Sequence, residues 1–136
     1  MRRPFALLCL PLSALALAAC GTTVSTAGFK GQQHEVAQTI SNFQADATAA
    51  EQNKICANDL AAALVTRLGG AKRCEAAIKS QLAEVDSLEA SVLSVQIGAS
   101  GTTATAQVKS IHEGKHRASS VALVHEGGKW KISGAT

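Results

Sequence analysis

The residues best suited to chemistry lie in the last third of the chain, where His112-Glu113-Gly114-Lys115-His116 spells His-Glu-x-x-His. On a helix this spacing puts two imidazoles on one face as zinc ligands, with the glutamate poised as a base. Here Gly114 sits inside the motif, strand-like segments flank it, and no helix follows to bring a third ligand. The expected structure is a polar β-hairpin turn without a metal site, His112 and His116 standing on its shoulders; adventitious metal binding by the two as cross-strand neighbours is the weaker alternative. The similar His125-Glu126-Gly127-Gly128 turn downstream supports that reading. Among the carboxylates, Asp46 is the candidate pocket acid, but its place at the end of a helical stretch favours a turn or cap role. Asp59 and Asp86 stand out in no pattern. The serines and threonines lack a Gly-x-Ser-x-Gly elbow. The glycines form neither a Gly-x-Gly-x-x-Gly turn nor a Walker loop, so no nucleotide or other cofactor is expected.

The elements that must carry these residues follow from hydrophobic periodicity. Val36, Ile40, Phe43 and Ala47 form one stripe of a 3.6-residue period and predict a helix from 33 to about 50. Cys56, Leu60, Leu64 and Leu68 predict a second, from about 53 to 68, stopped by Gly69-Gly70. Cys74, Ile78, Leu82 and Val85 predict a third, from 72 to about 84. After Ala90 the period becomes two: Leu93, Val95 and Ile97 alternate before a turn at 98–101. Strands are expected at 103–111, at 118–125 and at 129–133. In the second of these Val121 and Leu123 share one face and Ala122 and Val124 the other; in the third Trp130 and Ile132 share a face. About three helices followed by a four-strand antiparallel meander make an α+β domain, and the absence of βαβ alternation argues against a parallel sheet.

The first 19 residues read as a secretory signal, with Arg2 and Arg3 ahead of a short apolar stretch that Pro11 interrupts. It is too short to span a bilayer. Its ending, Leu17-Ala18-Ala19-Cys20, resembles the bacterial lipobox, which implies that Cys20 takes a diacylglyceryl group and that the leader is cut just before it. Two or more acyl chains anchor a protein stably. The expectation is a lipoprotein held on the outer face of the cell membrane, with residues 20–32 as lipidated cysteine and flexible tether and 33–136 as a single domain. Cys9 leaves with the leader and Cys20 with the lipid, so Cys56 and Cys74 remain as a pair in an oxidising compartment. They lack Cys-x-x-Cys spacing, which disfavours a redox role and favours a structural disulfide over two buried thiols. Of 13 basic residues two lie in the leader, leaving 11 against 10 acidic ones. That near-neutral balance, with no Tyr and one Trp, disfavours a nucleic-acid partner.

The apolar first helix, the bend near Asp46 and the closing Leu123-Val124-His125-Glu126-Gly127-Gly128-Lys129-Trp130-Lys131-Ile132 hairpin resemble the nuclear transport factor 2-like superfamily. The paired Cys56 and Cys74 also resemble small lipoproteins of high-GC Gram-positive bacteria. The resemblance implies helices lying across a curved sheet to form a cone with one open end. The preferred reading is a non-catalytic binding or interaction module; its partners would be the membrane through Cys20 and an envelope protein, a small apolar ligand or a second copy of the chain. The alternative is an enzyme of the same fold acting on a small apolar substrate in the cone. Enzymes of this group use a pocket carboxylate and often a Tyr, and this chain has no Tyr. A cone packed by Phe43, Leu60, Leu93 and Trp130 would favour binding; a buried carboxylate facing a donor inside it would favour catalysis.

Overall fold

The computed structural model describes residues 25–83, 89–112 and 114–136. The leader and Cys20 lie outside that set, as do Val85, Asp86 and Glu113. The first stripe folds as α1, Gln32–Thr48, and buries Val36, Ile40 and Ala47. The helix stops where Ala50 takes a left-handed conformation, φ 55°. There the Ala50 N–H donates to the Ala47 carbonyl at 3.1 Å and the Glu51 N–H to the Asp46 carbonyl at 2.9 Å. Glycine is the usual residue at such a stop, because a Cβ crowds the backbone there.

The sheet is an antiparallel meander of β1 (Glu89–Ile97), β2 (Thr103–His112), β3 (Lys115–Glu126) and β4 (Lys129–Ala135), in that order. The α+β expectation holds, with helices first and sheet second. Gly127 and Gly128, φ 59° and 77°, make the tight β3–β4 turn, whose handedness requires two positive φ values.

The expected second helix does not run through. Gln52–Lys54 makes a single turn, α2, and Ile55–Asp59 widens into a π turn. Leu60 and Ala61 are then extended, ψ 142° and 146°, before α3 resumes over Ala62–Arg67. The cause is β4, an edge strand with unpaired backbone groups. The Ala61 N–H donates to the Ile132 carbonyl at 2.8 Å, and Leu60 bridges Ile132 in parallel. Glu126 accepts from the Ala62 N–H at 2.8 Å and so satisfies a free donor at the start of α3. Arg67 Nη2 donates to the Ser133 carbonyl at 2.9 Å. Helical bonds are exchanged for bonds that cover the sheet edge, and Cys56, Asp59 and Leu60 all turn inward. Among the described residues the helical segments therefore number four, plus the π turn, where about three helices were expected.

Gly69 and Gly70 end α3 as expected, both with positive φ, and α4 follows over Ala71–Ala83. Cys74, fully buried in α4, is disulfide-bonded to Cys56 in the π turn across a Cα separation of 6.1 Å. The bridge joins the two segments expected to carry it.

Pairing between β2 and β3 is uninterrupted, so residues opposite each other share a face all along the hairpin. The face toward the helices carries Ala104 with Leu123, Ala106 with Val121, Val108 with Ser119, and Ser110 with Arg117. On β1 the expected alternation of Leu93, Val95 and Ile97 fails at its first member. A bulge leaves Leu93 without a partner between Val92 and Ser94, and Leu93 is 57% exposed. The extra residue resets the phase, so Ala90 and Val92 before the bulge face the same way as Val95 and Ile97 after it. The small side chains of Ala104 and Ala106, both buried, leave room for α1 over the sheet. Gln33 Nε2 donates to the Val95 carbonyl at 3.0 Å and Thr39 Oγ1 to the Trp130 carbonyl at 3.2 Å, fixing α1 to both sheet edges.

Candidate functional site

Two concavities flank α1. The larger, about 430 Å³, lies between the helical layer and the sheet. Its helical wall comes from Phe43 of α1, Leu60 and Leu64 beside β4, and Ile78 of α4; its floor includes Val108 and Val121. Each wall has a separate cause in the chain. Leu60 is there because the second helix breaks to cover β4, and Ile78 because the Cys56–Cys74 bridge draws α4 inward. The polar side chains on the lining are Gln44 and Gln81 on the helices and Ser110 and Ser119 on the sheet. No carboxylate, histidine or lysine lines it among the described residues.

Of the four residues expected to pack the cone, Phe43 and Leu60 line this cavity. Leu93 does not, because the bulge turns it to solvent. Trp130 is buried in the core at the other end of the sheet and borders the second concavity.

That second concavity, about 320 Å³, is polar and lies between α1 and the β3–β4 turn, with His34, Gln38, Asn42, Asn58, Asp59 and Lys129 among its lining. Asp59 is only 5% exposed. Its carboxyl is raised from 3.8 to about 7, first by burial and then by a hydrogen bond with the Asp46 carboxyl and the charge of Asp46, against the opposing charge of Lys131. The raised value keeps the Asp59 carboxyl able to hold its proton toward neutral pH. Asp59 Oδ2 and Trp130 Nε1 are buried without a hydrogen-bond partner. Asp46, expected as a turn or cap residue, lies inside the last turn of α1 and hydrogen-bonds Asp59. Asp59 gave no signal in the sequence beyond its position before Leu60. It is buried only because the π turn rotates it inward.

The His-Glu-x-x-His letters fall across the β2–β3 hairpin, as expected. The weaker alternative, the two histidines as cross-strand partners, does not match the register: His112 pairs with Lys115, and His116 with Ile111. Among the described residues no three His, Cys, Asp or Glu side chains converge as metal ligands would.

No family model and no curated protein matches the chain. Among solved structures it is similar to the crystal structure of the intermembrane space region of the chloroplast protein ARC6. The two are 16% identical, and the similarity covers 79% of this chain and 97% of that one at a TM-score of 0.48.

Proposed function

We propose that this chain is a lipid-anchored module outside the cytoplasm that holds a small apolar ligand in the cavity between its helices and its sheet, without catalysis. The architecture is read as a nuclear transport factor 2-like cone whose open end is the mouth of that cavity. The observation that carries the reading is the cavity itself. Its volume, about 430 Å³, falls within the ~300–1,000 Å³ of small-molecule sites. Its lining is mostly aliphatic and aromatic, with amides and hydroxyls but no general acid or base among the described residues.

Titration with a neutral apolar fluorophore, N-phenyl-1-naphthylamine, tests this directly. The wild-type chain is expected to enhance its emission with saturable, stoichiometric binding. Ser119 faces the cavity opposite Val108, so Ser119→Leu fills the space and should weaken binding at least about tenfold with the fold retained. Equal binding by the two proteins would remove the cavity as the site.

The alternative, an enzyme of the same fold, has one observation in its favour: the buried Asp59 carboxyl, raised to about 7 beside Asp46. Asp59 borders the polar concavity and not the apolar cavity, so an apolar substrate in the cone would not meet it.

The anchor rests on the Leu17-Ala18-Ala19-Cys20 ending. Cys20→Ala is expected to release the protein from the membrane fraction and to block leader cleavage. Unchanged membrane partition together with unchanged processing would overturn the lipoprotein assignment.

A further inference from the structure

The face of the sheet that floors the cavity changes character in one direction. Along β3 the inward positions read Leu123, Val121, Ser119, Arg117 and Lys115; along β2 their partners read Ala104, Ala106, Val108, Ser110 and His112. The rows at Leu123 and Val121 are apolar and the deeper one is buried. Ser119 and Ser110 are the hydroxyls on the cavity's sheet floor. Arg117 pairs with Ser110 on that same face, and Lys115 stands one step farther out. Both cations are exposed. Among the described residues neither cation is in an ion pair; the one present joins Glu51 and Lys54. An apolar pocket that ends in hydroxyls and then in two cations matches a molecule with an apolar tail and an anionic head.

We infer that the cavity takes a free, single-chain anionic amphiphile, of which a medium-chain fatty acid is the simplest case. The tail lies against Phe43, Leu64, Ile78 and Val121, and the carboxylate meets the Arg117 guanidinium at the mouth. Arginine suits this role because its planar fork accepts a carboxylate through two parallel N–H···O bonds. At interior packing density the volume accommodates on the order of ten methylenes. This inference rests on the apolar-ligand reading above and adds the head group and the length.

The test uses the full-length chain and displacement of N-phenyl-1-naphthylamine by saturated fatty acids of eight to fourteen carbons and by the 1-alkanols of the same lengths. Both series should displace the probe, with affinity rising about fourfold per methylene until the tail outgrows the cavity. Acids should bind on the order of tenfold tighter than alcohols of equal length, an advantage that high salt removes. Arg117→Gln should erase that advantage and leave the alcohols unchanged, whereas Arg117→Lys should restore part of it. The exposed position of Arg117 keeps these variants folded, which circular dichroism checks. Equal affinity of acids and alcohols, or an equal loss of both in Arg117→Gln, would overturn the anionic head while leaving the apolar pocket standing. Failure of both series to displace the probe would overturn both. Stronger displacement by vesicles of diacyl phosphatidate than by the free acids would overturn the single-chain assignment.

Discussion

Asp59→Asn should stabilise this domain above pH 7 and flatten its stability between pH 4 and 7. The carboxyl of Asp59 is raised in the folded state to about 7, from an ordinary 3.8. A group raised on folding binds its proton more tightly in the native protein. Its contribution is therefore fully present below the unfolded value, near 4, and is lost as pH climbs through about 7. Wild-type stability is expected to fall over that window by up to about 4 kcal/mol, at 1.36 kcal/mol per unit. The direction is opposite to ordinary acid denaturation. Asparagine keeps an N–H donor for Asp46 and has no charge to bury, so the variant should gain most of that difference at pH 8 and little at pH 4.5. Urea unfolding midpoints of the two proteins at pH 4.5, 6 and 8 measure it; parallel profiles would show that Asp59 does not hold the proton. Binding in the apolar cavity should be unaffected, since Asp59 lies outside its lining.

Removing the disulfide should have a comparable effect of opposite sign. The bridge spans a sequence separation of 18 residues, for which the chain-entropy estimate is about 3 kcal/mol. The local structure argues for the full value. Cys74 is the one buried residue of α4, and Ile78 and Leu82 pack only partly against the core. Without the covalent link α4 has little to hold it, and with it goes the wall that Ile78 and Gln81 give the cavity. Reduction, or the double variant Cys56→Ala/Cys74→Ala, should lower Tm by roughly 10–20 °C for a domain of this size. It should also weaken N-phenyl-1-naphthylamine binding measured well below the new Tm. A Tm change of less than about 3 °C would mean that α4 is held by packing alone.

How far the fold was legible depended on how local its causes are. Val36, Ile40 and Ala47 fall on one helical stripe, and that stripe is buried. Gly69-Gly70 and Gly127-Gly128 stop a helix and turn a hairpin because glycine reaches positive φ without strain. Trp130 and Ile132 alternate and share the buried face. The same rules misplaced Leu93, since a single inserted residue in β1 reverses every later side chain and nothing in Val92-Leu93-Ser94 marks the insertion. They also missed the break in the helix at Leu60 and Ala61, although Leu60 is buried as expected. The spacing of Cys56, Leu60, Leu64 and Leu68 fits one helix, and only the exposed edge of β4 gives Ala61 a better partner for its N–H. The candidate site shows the same division. Cys56 and Cys74 could be paired by counting cysteines, whereas Asp59 had no distinguishing neighbour in the chain.

The amino-acid sequence by itself determined the order of helices before meander, the places where glycine must turn the chain, and the pairing of two cysteines. These follow from short-range periodicity, backbone sterics and cysteine count. The tertiary structure alone decided where the second helix breaks, which way Leu93 points, and that Asp59 is buried beside Asp46. It also decided that Arg117 shares a sheet face with the residues that floor an apolar cavity. Each of these depends on a contact between segments far apart in the chain: a strand edge that must be covered, a carboxyl brought into low dielectric beside another, a register that carries one face from leucine to arginine.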